Sequence, residues 1–304
     1  SWRGAGSLAE AAVKGYDGIL SAGYYIDLLE PAAKHYLADP IPADSKLTEE
    51  QQRHVLGGEA TMWGEYVGPE TIDSRIWPRT AAIAERLWSP ASVNDVKDMY
   101  RRLDIISVQL EELGLTHKKN EDMMLRRLAG RDDVRDLRQL MDVSAPVTGY
   151  ARGGLKPSNT LSPLTNIVDI ARADPAGARQ FDSLVDGFLA DAPAYRANRD
   201  NISQLLASWI ALQSRVHDTA ESLPALDDAI ALANNLAKAA EAGRDAMTLI
   251  SSDKAVPAGW ADRQKDVLKD ASTPKGAVSI AVIPAIQKLV DAASKAGSEK
   301  AALR

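Results

Sequence analysis

Two regions of different composition meet near residue 130, and this change limits the folds that the chain can adopt. Residues 1–90 are rich in glycine, proline, tryptophan and tyrosine, and their apolar runs are short. After residue 130 the aromatic residues almost vanish and alanine becomes frequent. Short apolar runs between turn-forming residues are typical of buried strands, whereas longer periodic segments are typical of helices. We therefore predict an α/β N-terminal part followed by an all-α helical bundle, with helix predominant overall.

The N-terminal part shows an alternation of strand and helix patterns. Apolar runs at about 18–25 and 54–59 predict two buried strands. Residues 77–88 predict a helix with Pro78 in its first turn, and residues 92–113 predict an amphipathic helix. Strands that alternate with helices indicate a parallel sheet.

The remainder of the chain is organised around helices. Apolar stripes at spacings of three and four, one of which includes Trp209 as a core residue, indicate an antiparallel bundle. The predicted helices are 132–142, 176–190, 197–221, 225–250, 260–271 and 278–296. We predict three domains or segments: an α/β part over 1–115, a connector with a short helix over 116–165, and a helical domain over 166–304.

Composition and charge exclude several classes of function. The formal net charge of −6 argues against a nucleic-acid-binding protein, which would need a basic surface. No apolar run approaches the ~20 residues that span a bilayer. With no cysteine and four scattered histidines, the sequence predicts no metal site and no cofactor. Because the chain opens on Ser-Trp-Arg-Gly without an initiator methionine, we expect it to be part of a longer protein.

The nonapeptide Gly-Gly-Glu-Ala-Thr-Met-Trp-Gly-Glu, residues 57–65, is the densest group of functional side chains in the sequence. It places two carboxylates, a tryptophan and three glycines within nine residues. A sugar pocket needs an apolar wall for the C–H face of the ring and acceptors for the hydroxyls. A tryptophan beside an acid supplies both, so this segment predicts a carbohydrate site.

Four motifs together carry a resemblance to a known family. They are Tyr24-Tyr25-Ile26-Asp27-Leu28, the nonapeptide 57–65, Trp77-Pro78-Arg79 and Glu85-Arg86-Leu87-Trp88-Ser89. In this order they resemble the C-terminal third of the catalytic domain of glycoside hydrolase family 20, the β-N-acetylhexosaminidases, over about residues 1–115. The resemblance implies the last strands and helices of a TIM (β/α)₈ barrel, with residues 18–27 and 54–63 as its seventh and eighth strands. The site would then lie at the C-terminal ends of those strands.

The resemblance also implies a mechanism and residue roles. The family hydrolyses terminal non-reducing N-acetylglucosamine or N-acetylgalactosamine from glycans by substrate-assisted retaining catalysis, in which the substrate's acetamido oxygen attacks the anomeric carbon. Tyr25 would hydrogen-bond the acetamido carbonyl, and Trp2 would wall the acetamido pocket. Trp63 would lie under the sugar ring, while Asp27 and Glu65 would accept hydrogen bonds from the distal hydroxyls.

The sequence departs from the family in one important respect. The family's general acid belongs to an adjacent Asp-Glu pair that follows a buried strand, and this chain has no such pair, nor the family's sugar-binding arginine from an early strand. Its own acid pairs are interpreted as helix or loop charges: Glu49-Glu50, Glu111-Glu112, Glu121-Asp122, Asp132-Asp133 and Asp227-Asp228. We expect a substrate-binding wall that is inactive alone, in a protein whose full-length form is periplasmic or secreted.

Two parallel strands cannot close a barrel, and an open strand edge pairs readily with another chain. The sequence therefore predicts either self-association through residues 18–65 or a barrel completed by an upstream polypeptide.

Each site residue also has a structural interpretation. Trp63 could be part of the core, and Asp27 and Glu65 could form ion pairs with Arg75 or Arg79. We favour sugar stacking for Trp63 and ligand contact for the two acids.

Tyr25 could likewise be a core residue, although its neighbour Tyr24 is the better candidate for packing. Trp88 is predicted to be core.

A further group is predicted to be structural, with a buried Arg–Glu pair that fixes the last barrel helix: Glu59, Trp77, Arg79, Glu85 and Arg86.

A second function of another class is consistent with the sequence. The helical region could be an oligomerisation or partner-binding module, with the barrel segment vestigial.

Overall fold

The computed structural model describes residues 1–190, 198–221, 223–252 and 255–302. Contacts between backbone positions divide the chain into two compact units. The first unit contains residues 1–121 and 148–164, and the second contains residues 122–147 and 165–304. The division of the chain into three parts at residues 115 and 165 stays a prediction.

Helices predominate, and the strands are short. In chain order the helices are α1 Ala5–Val13, α2 Ala32–Tyr36, α3 Glu49–Gln52, α4 Ile72–Ile76, α5 Arg79–Trp88, α6 Val96–Glu112, α7 Lys119–Ala129, α8 Arg135–Met141, α9 Ala151–Leu155, α10 Ile167–Ile170, α11 Ala176–Leu189, α12 Asn198–Ala220, α13 Asp227–Ile250, α14 Trp260–Ala271 and α15 Ile283–Ala302. The strands are β1 Gly18–Leu20, β2 Val55–Gly58, β3 Ser144–Pro146 and β4 Val278–Ile280. None of the helices in the described ranges is both long and apolar enough to cross a membrane.

Strands β1 and β2 pair in parallel, as the alternation of strand and helix patterns predicts. Strand β1 ends at Leu20, earlier than predicted, but the parallel pairing resumes beyond it at a bridge between Tyr25 and Thr61. The Glu59 N–H donates to the Leu20 carbonyl at 2.9 Å, and the Ile26 N–H donates to the Thr61 carbonyl at 3.0 Å. The two chain segments therefore remain side by side past the ends of both strands.

Gly58 is required by the packing of side chains against β2. A Cβ atom at this position would lie 2.5 Å from Cε2 of Tyr24 and 2.9 Å from Cδ2 of Leu87. Tyr24 is fully buried in a core cluster with Leu20 and Ile83, and its hydroxyl donates to a backbone carbonyl. Burial raises the pKa of Tyr24 to about 12. Tyr24 is therefore the packing residue of the Tyr-Tyr pair.

Helix α5 buries one face and leaves the other in solvent. Its buried positions are Arg79, Ala82, Ile83 and Arg86, at the spacing of one helical face. Trp88 lies off that face and is 92% exposed, so its prediction as a core residue is wrong. The helix also begins at Arg79 rather than Trp77, with a cis peptide bond between Trp77 and Pro78.

Glu85 forms its ion pair with Arg102, which was not among the residues of the predicted buried Arg–Glu pair. Arg102 of α6 donates to Glu85 through Nε at 2.9 Å, and the Tyr36 hydroxyl of α2 donates to Glu85 at 2.7 Å. The hydrogen bond from Arg102 lowers the pKa of Glu85. Arg86 instead donates to backbone carbonyls of the loop that follows α5. Glu85 therefore joins α2, α5 and α6 through one carboxylate.

The second unit has its own large core, built mainly from α11 to α15. Five of the six predicted helices lie within three residues of their expected bounds, whereas the helix predicted over 278–296 is observed at Ile283–Ala302. Trp209 is 2% exposed, as predicted for a core residue. Its ring meets that of Phe181 edge to face, with centroids 4.7 Å apart.

A small antiparallel sheet corrects two of the sequence predictions. Strand β3 lies in the predicted connector, and β4 lies at the start of the predicted helix 278–296; they pair with Ser144 opposite Ile280 and Pro146 opposite Val278. Val278 and Ile280 are buried with a less buried serine between them, which is the period of a strand. The helix starts only at α15, where Pro284 occupies the first turn.

Replacing Trp209 by alanine is expected to destabilise the second unit by about 3–5 kcal/mol, because it removes a buried indole and its edge-to-face partner contact. Urea unfolding followed by circular dichroism measures this change. Trp88→Ala is the matched control, since an exposed side chain should change stability by less than about 0.5 kcal/mol. Equal effects of the two substitutions would contradict the assignment of Trp209 to the core.

Candidate active site

The ends of β1 and β2 bring four of the predicted site residues to one edge of the sheet. Tyr25 and Asp27 follow β1, while Trp63 and Glu65 follow β2. Because the strands are parallel, their carboxyl ends lie at the same edge. The bridge between Tyr25 and Thr61 keeps the two segments in register just before the functional side chains.

Trp63 lies in solvent at this edge. Its side chain is 71% exposed, which contradicts the interpretation of Trp63 as a core residue. Gly64 follows it with φ of 88°, a left-handed conformation that glycine adopts without strain. This turn presents both Trp63 and Glu65 at the surface, where an indole face can contact a ligand.

Asp27 is the buried polar group of the site. The residue is 2% exposed, and within the described structure its Oδ1 atom has no hydrogen-bond partner. Burial, together with a hydrogen bond to the Glu65 carboxyl and the charge of that group, raises the pKa of Asp27 to about 6; backbone N–H groups of Asp27 and Trp63 partly oppose this rise. An unpartnered buried acceptor is costly unless a ligand or water satisfies it. This edge therefore offers an acceptor to an incoming hydroxyl.

An ion pair of Asp27 or Glu65 with Arg75 or Arg79 stays an alternative prediction; the Arg79 guanidinium donates to backbone carbonyls. Among the described residues, no group of three or more His, Asp or Glu side chains could hold a metal ion. The site thus consists of a hydrogen-bonded carboxyl pair and exposed aromatic rings.

Trp2 lies close to the end of β1, because the preceding residue, Ser1, is hydrogen-bonded to the segment that follows β1. The Ser1 carbonyl accepts hydrogen bonds from the N–H groups of Ser21 at 2.9 Å and Ala22 at 3.1 Å. The Trp2 ring is exposed, and the Arg3 guanidinium lies 5.2 Å from its centroid. Tyr25, by contrast, is half-buried. The structure thus places Trp2 on the β1 side of the site.

Arg79 holds the turn that carries Asp27. Its buried guanidinium donates to the carbonyls of Ile26 and Glu30, each at 2.7 Å, and to that of Arg75. Asp27 lies in the single 3₁₀ turn Ile26–Leu28, which begins at the first of these acceptors and ends before Glu30. Arg79 of the Trp-Pro-Arg motif therefore stabilises the backbone of the turn that contains Asp27, in agreement with its predicted structural role.

A further segment contacts the site, and no sequence motif indicated it. The Gly149 N–H donates to the Leu28 carbonyl at 2.8 Å, next to Asp27. The Arg152 guanidinium lies 4.0 Å from the ring centroid of Tyr66, next to Glu65. These contacts join residues more than 80 positions apart, and neither residue belongs to a recognisable motif.

Comparison with known proteins supports the resemblance drawn from the motifs. Residues 1–91 match the model of the family described as glycosyl hydrolase family 20, catalytic domain. The β-hexosaminidase subunit beta of Rattus norvegicus is 37% identical over 111 residues, which are 36% of this chain and 20% of that protein. The corresponding subunit of Homo sapiens is 38% identical over 111 residues, which are also 36% of this chain and 20% of that protein. The chain spans about a fifth of the length of these curated relatives.

A solved structure extends the likeness beyond the motifs. The X-ray structure of Flavobacterium johnsoniae chitobiase is 35% identical and superposes with a TM-score of 0.84, over 95% of this chain and 44% of that one. The likeness therefore includes most of the helical region. The predicted resemblance to glycoside hydrolase family 20 is confirmed, and with it a relationship to glycosidases.

The raised pKa of Asp27 makes the stability of the chain depend on pH. An acid whose pKa rises from 3.8 to about 6 on folding binds its proton more tightly in the folded state, so its contribution to stability falls as pH rises from about 4 to 6. Asp27→Asn removes this titration. We expect the free energy of unfolding of the wild type, relative to that of Asp27→Asn, to decrease by about 1–2 kcal/mol between pH 4 and 7. This range is smaller than the full pKa shift implies, because solvent at the exposed Glu65 screens the interaction.

Urea unfolding of both proteins at pH 4, 5, 6 and 7 measures this difference. Glu59→Gln is the control, because Glu59 is an exposed acid on the same segment. A wild-type stability that rises relative to Asp27→Asn over this range would show that folding does not raise the pKa of Asp27.

Proposed function

We propose that residues 1–91 supply the substrate-binding wall of a β-N-acetylhexosaminidase site, and that the whole protein hydrolyses terminal non-reducing N-acetylhexosamine residues by substrate-assisted retaining catalysis. The observation that carries the proposal is the buried, unpartnered Oδ1 of Asp27 beside Glu65, at the edge where the Trp63 ring is exposed. This combination suits a pyranose, which has one apolar face and a rim of hydroxyl donors.

Each group has a distinct task in this proposal. The C–H face of the sugar packs against the indole ring of Trp63, which removes the apolar surfaces of the sugar and of the ring from water. Distal hydroxyls donate to Asp27 and Glu65, and a hydrogen bond to a charged acceptor in such a site contributes ~1.5–3 kcal/mol. Tyr25 donates to the acetamido carbonyl oxygen while that oxygen attacks the anomeric carbon. Trp2 closes the pocket on the acetamido side.

The reaction also needs a general acid, which we do not assign to this chain. Each adjacent acid pair has at least one member in the first turn of a helix or in an ion pair. Glu49-Glu50 and Asp227-Asp228 lie in the first turns of α3 and α13, while Glu111, Asp122 and Asp133 pair with Lys118, Arg138 and Arg135. We therefore propose that the acid comes from polypeptide outside residues 1–304, and that this chain alone does not turn over substrate.

The two-stranded sheet supports this view of an incomplete site. Both faces of parallel sheets are normally covered. Here Ile19 of β1 and Leu56 of β2 are exposed although they are apolar strand residues. We propose that β1 and β2 are the last strands of a (β/α)₈ barrel, covered in the whole protein by its other strands or, in this chain, by self-association. The chitobiase likeness leads us to assign the helical region to the same enzyme rather than to an independent module.

The binding wall should recognise the sugar even without the acid. We expect N-acetylglucosamine to bind the chain weakly, and Trp63→Ala or Glu65→Gln to weaken binding by about tenfold or more, because each removes a proposed contact. Titration followed by ¹H–¹⁵N NMR measures the affinities. Trp88→Ala is the matched control, since it removes another exposed indole from a different surface. Equal affinities in all four proteins would contradict the sugar site.

The proposed absence of the acid is tested by hydrolysis. We expect the purified chain to release 4-nitrophenol from 4-nitrophenyl N-acetyl-β-glucosaminide at the background rate. Turnover above background that disappears in Glu65→Ala would show that the chain holds a complete active site, and would overturn this part of the proposal.

A further inference from the structure

A segment outside the family-like region contacts both turns that carry the acid pair. Residues 148–164 belong to the same compact unit as residues 1–121. The Gly149 N–H is bonded to the carbonyl of Leu28, the residue after Asp27. Three positions on, Arg152 stacks over Tyr66, the residue after Glu65. This short stretch thus spans the two turns from one side.

The contact between Arg152 and Tyr66 is close, and Arg152 is buried in it. Arg152 is 2% exposed, and its guanidinium carbon lies 4.0 Å from the centroid of the Tyr66 ring. A cation over an aromatic face gains most when both are removed from water. Gly153 allows this approach, because a Cβ atom there would lie 3.1 Å from the Tyr66 hydroxyl. Helix α9 therefore packs directly on Tyr66.

Glu65 has little else in its own sequence to fix it. It is exposed, and the residue before it is Gly64 in a left-handed conformation. A long, exposed carboxylate loses substantial rotamer freedom when it is held in one place. The neighbouring Tyr66, by contrast, is held by the Arg152 stack and by a hydrogen bond of 3.5 Å from Arg75 Nε to its carbonyl. Fixing Tyr66 fixes the backbone from which Glu65 extends.

We propose that Arg152 is a positioning residue, which holds Glu65 against Asp27 by stacking on Tyr66. Arg152 does not touch the sugar itself. It sets the geometry of the two acceptors, and so the pattern of hydroxyls that they can accept. The role in sugar recognition rests on the proposed function, whereas the effect on the carboxyl pair does not.

The test measures the pKa of Asp27 by ¹³C NMR of its carboxyl carbon in the intact chain. In Arg152→Ala we expect it to move from about 6 toward 3.8, because Glu65 leaves and only burial continues to raise it. Tyr150→Ala is the matched control: this residue of the same segment is 76% exposed, and its loss should leave the pKa unchanged. A merely structural role of Arg152 would lower thermal stability without this shift.

A second pair of variants covers the case in which Arg152→Ala does not fold. Tyr66→Phe keeps the ring that Arg152 stacks on and should keep the wild-type pKa of Asp27. Tyr66→Leu removes that ring and should lower the pKa. An unchanged pKa in folded Arg152→Ala, or in Tyr66→Leu, overturns the inference.

Sugar titration separates this inference from the proposed function. We expect Arg152→Ala and Tyr66→Leu to bind N-acetylglucosamine about threefold to thirtyfold more weakly than the wild type, the range equivalent to a desolvated cation–π contact. A wild-type chain that binds no sugar would refute the proposed function, while the pKa of Asp27 would still decide the role of Arg152.

Discussion

The parallel pairing of β1 with β2 is the contact on which the rest of the site depends. It continues past the strand ends to the bridge between Tyr25 and Thr61, and so carries the next residues of both segments to one edge. Gly58 permits this arrangement because Tyr24 and Leu87 occupy the space that a side chain would need. Close packing in the core thereby determines where the polar side chains of the edge can lie.

The turns that carry Asp27 and Glu65 each have an arginine packed against them. Arg79 gathers the carbonyls of Ile26 and Glu30 around the turn of Asp27, while Arg152 stacks on the residue after Glu65. Burial is the main cause of the raised pKa of Asp27, and the hydrogen bond and negative charge of the neighbouring Glu65 carboxyl raise it further. An acid pair of this kind costs stability in the free protein, and hydroxyl donors of a ligand would offset that cost. Strain of this sort is common at binding sites.

Local patterns predicted the elements that depend on nearby residues. The apolar runs identified both parallel strands, and the helical periodicity identified most helices together with the burial of Trp209. The motif resemblance selected the four residues that the structure brings to one edge. Strand β4 was mistaken for helix because three residues carry too little periodicity, and its pairing with the distant β3 is not visible in its own sequence.

Other features depend on contacts that no local pattern encodes. Trp88 was assigned to the core because it is large and apolar, but the face of α5 that is buried is set by the neighbours of the helix. The partner of Glu85 comes from α6, and Arg152 comes from the segment that was predicted to be a connector. Both are long side chains whose targets are fixed by tertiary packing.

The most direct test of the proposed site is a crystal structure of the chain grown with N-acetylglucosamine. The proposal predicts the sugar ring over Trp63, with a hydroxyl within hydrogen-bond distance of Asp27 Oδ1 and another near Glu65. Well-ordered Asp27 and Glu65 side chains that point apart, with no sugar at this edge of the sheet, would contradict it.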